Sequence, residues 1–116
     1  MKFTTEPKNI TIGNHSATIF RDSNGVIQID TEDPVSLAKF TGYAHAIDRQ
    51  MQMMLLRTVA EGRLCEYFKD DDETLEIDIF MREMAFYHEA EKEVSQITNE
   101  NLKFIQAYCD GVNFHL

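Results

Sequence analysis

The feature that most constrains this chain is a central helix with two apolar faces. The segment Gly42–Phe68 reads GYAHAIDRQMQMMLLRTVAEGRLCEYF. At about 100° per residue, its apolar side chains fall on two nearly opposite faces. One face carries Ala44, Ile47, Met51, Met54, Leu55 and Val59, and the other carries Ala46, Met53, Leu56 and Ala60. Because a helix with two apolar faces needs cover on both, the pattern predicts an interior position in a larger body.

Four polar residues lie between the two apolar faces: His45, Asp48, Arg49 and Gln52. We expect them to be sequestered from bulk water and hydrogen-bonded internally, since an unmatched buried charge costs several kcal/mol. One interpretation is a catalytic Asp/His/Arg set. The other is a structural clamp that fixes the helix against neighbouring chain. The clamp is favoured, because a single helix presents no opposing nucleophile.

Length and composition limit what surrounds this helix. The chain has 116 residues, 43% of them hydrophobic and 27% charged, which indicates one folded domain or part of one. Its net charge of -9 disfavours nucleic acid and anionic membrane surfaces as partners. The longest apolar run of the helix, Met53–Leu56, is too short to span a bilayer, and the opening MKFTTEPKNI lacks a signal-peptide core. Localisation stays open.

The predicted fold class is α+β, mainly α. Residues 8–31 are predicted to form a β-hairpin around Ser23-Asn24-Gly25, and residues 33–116 are predicted to be helical after the Asp33-Pro34 start signal. The predicted helices are Pro34–Gly42, Tyr43–Glu61, Arg63–Phe68, Glu73–Ile97 and Asn99–Cys109. Since two strands are marginally stable alone, a third strand is expected from either another segment or another chain. Together with the two-faced helix, this makes the chain resemble a piece of a larger protein.

Other polar groups do not predict a site of their own. The run Asp70–Glu73 lacks the spacing and the Gly of an EF-hand, so it is predicted to cap the fourth helix. Asp110-Gly111 is predicted to end the last helix. The histidines lack zinc-ligand spacing, and Cys65 and Cys109 are expected to be buried free thiols. Apolar residues of the last helix are predicted to be core: Leu102, Phe104, Ile105 and Tyr108. We expect no catalytic residue, metal ligand or cofactor in this chain.

The run GYAHAIDRQMQMMLLRTVAEGRL resembles the N-terminal part of the penicillin acylase family, amidohydrolases whose nucleophile is the first residue of a processed β chain. Three further stretches agree in order and spacing: IFRDSNGVIQI, DIFMREM and AYCDGVN. The positions that carry the resemblance include Arg21, Asp22, Gly25, Gly42, Tyr43, Met53, Gly62 and Gly111. One departure is Ile27-Gln28, where the family usually has Pro-His.

The resemblance implies an αββα hydrolase of the N-terminal nucleophile type, made as a precursor that cuts itself into α and β chains. In such enzymes the β-chain N-terminal Ser attacks an amide carbonyl, its own α-amino group acts as base, and β-chain groups form the oxyanion hole. Met1-Lys2 exposes no such nucleophile. The family's acyl-pocket helix and its α-chain calcium carboxylate would lie beyond Leu116. The family is often periplasmic or secreted.

Two functional hypotheses follow. The first is the front part of an α chain, with a scaffold role and a β chain of the same precursor as its partner. The alternative is a self-standing, non-enzymatic helical module that uses the family's helices for association. In either case the isolated chain is expected to form a homo-oligomer, because hairpin edges and a two-faced helix leave apolar surface uncovered. The acyl substrate stays undetermined.

Overall fold

The computed structural model describes residues 4–116, so the prediction about Met1-Lys2 lies outside the described residues. In this described part of the chain, three strands precede five helices, which confirms the α+β class. The strands are β1 Lys8–Ile12, β2 His15–Arg21 and β3 Ile27–Thr31. The helices are α1 Pro34–Glu61, α2 Leu64–Tyr67, α3 Asp72–Met84, α4 Phe86–Val94 and α5 Asn99–His115.

The strands form one antiparallel sheet in the order β1-β2-β3. The β2–β3 hairpin turns as predicted, with Gly25 at φ 80° and the Asp22 carboxylate accepting the N–H groups of Asn24 and Val26 at 2.9 Å each. The expected third strand comes from another segment of this chain, the first of the two sources considered. That strand is β1, whose Ile10 and Ile12 alternate with exposed Asn9 and Thr11 to give a half-buried strand.

Helix α1 is longer than predicted and breaks at a different place. It begins after Asp33, whose carboxylate accepts the Ser36 N–H at 2.9 Å, as the start signal predicted. It then runs through Gly42 without a break, so the predicted boundary at Gly42 was wrong. The one residue of α1 with non-helical angles is Arg49, at φ −135° and ψ 20°. Gly42 serves another purpose, because it lies where α5 crosses α1.

The chain divides into two compact units next to this break. The sheet unit comprises residues 4–50 and 98–116 of the described chain, and the helical unit comprises residues 51–97. The sheet unit has a buried core in which β1, β2 and the first half of α1 meet. Its members are Ile12, Ala17, Ile19, Phe40, Tyr43 and Ala44. Apolar burial of this kind is the main force that holds such a unit together.

Helices α1 and α5 of the sheet unit touch backbone to backbone. A Cβ at Gly42 would overlap the Tyr108 carbonyl, and a Cβ at Gly111 would overlap the Lys39 carbonyl. The prediction that Asp110-Gly111 ends the last helix was wrong, because Gly111 is a buried contact point and α5 continues to His115. The buried residues of α5 also differ from the predicted ones.

The buried positions on α5 are Ala107 and Gly111, which are small enough for the close approach. The predicted core residues Phe104 and Ile105 are exposed, and Leu102 and Tyr108 are half-buried. Cys109 was expected to be buried, but its free thiol lies on the exposed side of α5.

The helical unit contains α2, α3, α4 and the last part of α1. Asp71 caps α3 by accepting the Thr74 N–H at 2.9 Å, which confirms the predicted capping run. The predicted single helix Glu73–Ile97 was wrong, because Ala85 adopts left-handed angles, φ 57° and ψ 25°, and separates α3 from α4. The sequence offers no warning of this break, since alanine is the strongest helix former.

Candidate functional site

The best-defined polar contact in the family motif joins the sheet to α1. The Arg21 guanidinium donates through Nη2 to both carboxylate oxygens of Asp48, at 2.5 and 2.7 Å, and through Nη1 to the Gly25 carbonyl at 2.8 Å. Both side chains are about a quarter to a third exposed, at 24% and 31%. One guanidinium therefore ties the hairpin turn to the helix through charge-assisted bonds.

The four polar residues predicted as a cluster are not brought together. Within residues 4–116 no side-chain hydrogen bond joins His45, Asp48, Arg49 and Gln52 to one another, and all four are exposed. Asp48 binds Arg21, and His45 Nδ1 lies 3.0 Å from the Tyr108 hydroxyl. The expectation of sequestration was wrong, because the apolar faces on either side of the cluster are covered only in the first half of α1.

A second polar cluster, which sequence reasoning missed, lies at the start of α1. The Ser36 hydroxyl is buried and donates to Asp33 Oδ2 at 2.6 Å, while His15 Nδ1 lies 2.5 Å from Ser36 Oγ. Since the only hydroxyl proton goes to Asp33, His15 Nδ1 must be the donor to Ser36. The Asp33–Ser36 spacing of three residues signals a cap, but nothing in the sequence signals His15.

This cluster resembles a hydrolytic triad in composition but not in connectivity. The Ser36 hydroxyl and backbone N–H lower the pKa of Asp33, so the carboxylate stays ionised and holds the serine proton. In a nucleophilic serine the imidazole accepts that proton instead. The arrangement is therefore a helix cap with a histidine attached to it, and it ties β2 to the first turn of α1.

In the helical unit the family motifs meet at Asp78. This carboxylate is only 6% exposed and accepts the N–H groups of Leu64 at 2.7 Å and Cys65 at 2.9 Å. Burial alone would raise the pKa of Asp78, but the two backbone donors outweigh it and the pKa is lowered. Arg82 Nε donates to the Gly62 carbonyl at 2.9 Å. The motifs GRL and DIFMREM thus shape one turn around α2.

Arg63, in the same turn, is saturated by internal partners. It donates to Glu66 at 2.7 and 2.8 Å and to Glu61 at 3.2 Å, and its guanidinium lies 4.7 Å from the Tyr67 ring centre. Hydrogen bonding to Glu66 and Glu61 raises the pKa of Arg63. Burial raises the pKa of the neighbouring Cys65 thiol, which disfavours the thiolate that a nucleophile requires. These groups act as internal braces.

Neither a metal-binding cluster nor a membrane-spanning helix is found among residues 4–116. Residues 4–116 contain no group of three or more His, Cys, Asp or Glu side chains placed to hold a metal ion. The described helices also include none with both the length and the apolar character needed to cross a bilayer. The calcium carboxylate implied by the resemblance was expected beyond Leu116 and stays a prediction.

Known proteins are similar to this chain in sequence. Residues 16–116 match the family model described as penicillin amidase. The acyl-homoserine lactone acylase QuiP of Pseudomonas aeruginosa is 35% identical over 101 residues, which cover 87% of this chain and 12% of that protein. The penicillin acylase 2 proenzyme of Pseudomonas sp. SE83 is 30% identical over 96 residues, covering 83% of this chain and 12% of that protein.

A solved structure supports the fold. The thermostable penicillin G acylase from Alcaligenes faecalis superposes with a TM-score of 0.75 at 23% identity, over 87% of this chain and 53% of that one. At this identity the likeness is one of fold. The chain spans about 12% of the length of the curated relatives named above.

Proposed function

The chain belongs to the penicillin amidase family, and from that premise we propose that it is the N-terminal α-chain segment of a hydrolase that cleaves N-acyl amide bonds. Its role in that enzyme is to be a scaffold. The β chain of the same precursor supplies the nucleophile, the base and the oxyanion donors. An acyl amide as substrate fits the two relatives, whose names describe acylases of homoserine lactone and of penicillin.

The observation that carries the scaffold role is that three well-placed polar side chains are all engaged in internal hydrogen bonds. Asp48 is held by Arg21, Asp78 by the backbone of α2, and Ser36 by Asp33. Groups that are committed to internal bonds fix the geometry of a framework, whereas a nucleophile needs a free reacting atom beside its base. These contacts favour a framework that positions another chain's catalytic groups.

The test is a chimera. Residues 16–116 replace the matching segment of the QuiP precursor of P. aeruginosa, and both the chimera and the isolated chain are assayed for acyl-homoserine lactone and phenylacetyl amide hydrolysis. We expect the chimera to be cut into two chains and to turn over substrate, and the isolated chain to be inactive. Turnover by the isolated chain that survives replacement of Cys65 and Cys109 would overturn the proposal.

A matched pair of variants of the chimera tests whether the contact between the sheet and α1 is needed for processing. Asp48→Asn weakens the bond to Arg21 and should reduce the yield of processed chains, because the sheet and α1 lose their link. Asp30→Asn makes the same chemical change at an exposed residue of β3 and should leave processing unchanged.

The alternative is a self-standing association module. It is favoured by one observation, that the sheet unit has a buried core of its own. If that alternative holds, the chimera stays unprocessed while the isolated chain is stable and forms a defined complex with a protein that is not an acylase chain.

A further inference from the structure

The helical unit has very little core of its own. Among residues 51–97, all of which the structure describes, Leu64 is the only buried apolar side chain. Large apolar side chains are exposed along each of its longer helices, including Met51, Leu56, Phe80, Phe86 and Val94. Burial of apolar surface is the dominant favourable term in folding, so a unit with this exposure lacks the force that would hold it folded.

The helical unit carries a large excess of negative charge. Residues 51–97 contain 12 Asp and Glu but only 5 Lys and Arg, out of 20 and 11 in the whole chain. Three of those cations are already paired with carboxylates: Arg63 with Glu66, Lys69 with Asp71 and Lys92 with Glu89. The exposed apolar side chains are therefore bordered by uncompensated carboxylates. A partner that covers them needs apolar groups flanked by Lys or Arg.

We propose that residues 51–97 are a docking segment that becomes stably folded only on an apolar, basic surface supplied by the rest of the longer protein, whereas the sheet unit folds without it. This inference rests on the proposed function. The length of the relatives provides the source of that surface, since the chain covers only 12% of QuiP. A second copy of the chain is the poorer occupant, because it would bring the same excess of carboxylates.

Local polar contacts prepare the segment for docking. Asp78 and Arg82 bond to the turn around Gly62 and α2, so local polar contacts favour the shape that the short helix takes once the segment is covered. Ala85 adds a left-handed residue that only surrounding structure can stabilise, at a cost of about 1 kcal/mol or more. An element with correct local bonds and missing tertiary cover is typical of a segment that folds on binding.

The test is amide hydrogen exchange on the 116-residue chain, dilute and at low salt, followed by mass spectrometry of peptides. In the free chain we expect slow exchange in β2 and α5 and fast exchange throughout residues 51–97. The probe is an amphipathic helical peptide of Leu and Lys, and its matched control carries Glu at each Lys position. The Lys peptide should slow exchange in residues 51–97 by about tenfold or more, and the Glu peptide should not.

Two variants with equally exposed side chains locate the surface. Leu56 in the helical unit is 60% exposed and Val26 in the sheet unit is 56% exposed, so neither replacement disturbs a core. Leu56→Ser should weaken the apparent affinity of the chain for the Lys peptide by about tenfold, and Val26→Ser should leave it unchanged.

Each other outcome overturns the inference. Residues 51–97 that exchange as slowly as the sheet unit in the free chain would show that the unit closes its own core. At the low salt of this test, protection of residues 51–97 that rises with chain concentration in the absence of peptide would make a second copy the occupant. If both peptides slow exchange equally, or if neither does, residues 51–97 do not require a basic partner surface. An active chimera alongside any of these results would leave the proposed function standing and remove only this inference.

Discussion

The close crossing of α1 and α5 makes Gly111→Ala an informative perturbation. The added methyl group would overlap the Lys39 carbonyl oxygen and approach the Tyr43 nitrogen at 2.9 Å, and both are backbone atoms that cannot move without their helix. Overpacking of this kind costs about 3 kcal/mol at the upper end of its usual range. Replacing Gly by Ala inside a helix returns about 1 kcal/mol. The net loss is therefore about 2 kcal/mol.

Thermal unfolding followed by circular dichroism measures this loss. For a unit of this size about 2 kcal/mol lowers Tm by roughly 8–16 °C. Asn113→Ala is the matched control, since Asn113 is an exposed residue of the same helix and its replacement should be neutral or slightly stabilising.

A Gly111→Asn variant distinguishes a close contact between α1 and α5 from a helix end at Gly111. A left-handed helix end accepts asparagine, whereas a backbone contact excludes it. A Gly111→Ala variant that melts at or above the parent Tm would refute the crossing, and a well-tolerated Gly111→Asn would restore the predicted helix end.

Three further predictions concern charges. Asp48→Asn should cost about 1 kcal/mol and Arg21→Gln a similar amount, with a coupling energy in the double-mutant cycle that shrinks as salt is added; additive effects would show that the pair is inert. The pKa of Asp33 is lowered on folding, so its stabilisation is complete above the ordinary value of 3.8 and is lost as pH falls through the folded pKa. The Tm values of the parent and Asp33→Asn should therefore converge in acid, and a constant difference would count against the cap. Light scattering of the isolated chain should give 13.4 kDa at low salt and a higher mass near physiological ionic strength, where screening acts beyond roughly 8 Å; a single mass throughout would contradict the expected association.

The sequence was sufficient for features whose cause lies within a few residues. The Gly25 turn, the Asp33 cap of α1 and the Asp71 cap of α3 each depend on a local side chain or on a backbone angle that glycine favours. The family was also predicted from the sequence, through the resemblance of the run from Gly42 to Leu64. Membership was confirmed by the match over residues 16–116.

Features that depend on distant residues were misjudged. The sequence predicts a helix end at Gly111, whereas the structure shows a backbone contact with α1 there. The sequence also predicts helix interior at Ala85, where the chain turns between α3 and α4. The partner of Asp48 could not be read from its own helix, because Arg21 lies 27 residues earlier in β2. Likewise, His15 reaches Ser36 across 21 residues.

The sequence by itself therefore determined the fold class, the caps, the turn and the family, since local propensity and motif order carry that information. Only the tertiary structure decided which apolar faces are covered. The periodicity of α1 states that both of its faces are apolar, yet burial depends on what packs there. Within the described residues the part before Arg49 packs on the sheet and α5, while Met51 and Leu56 beyond it stay exposed. A repeat of apolar residues indicates which faces would gain from burial, and only the folded chain shows which of them are buried.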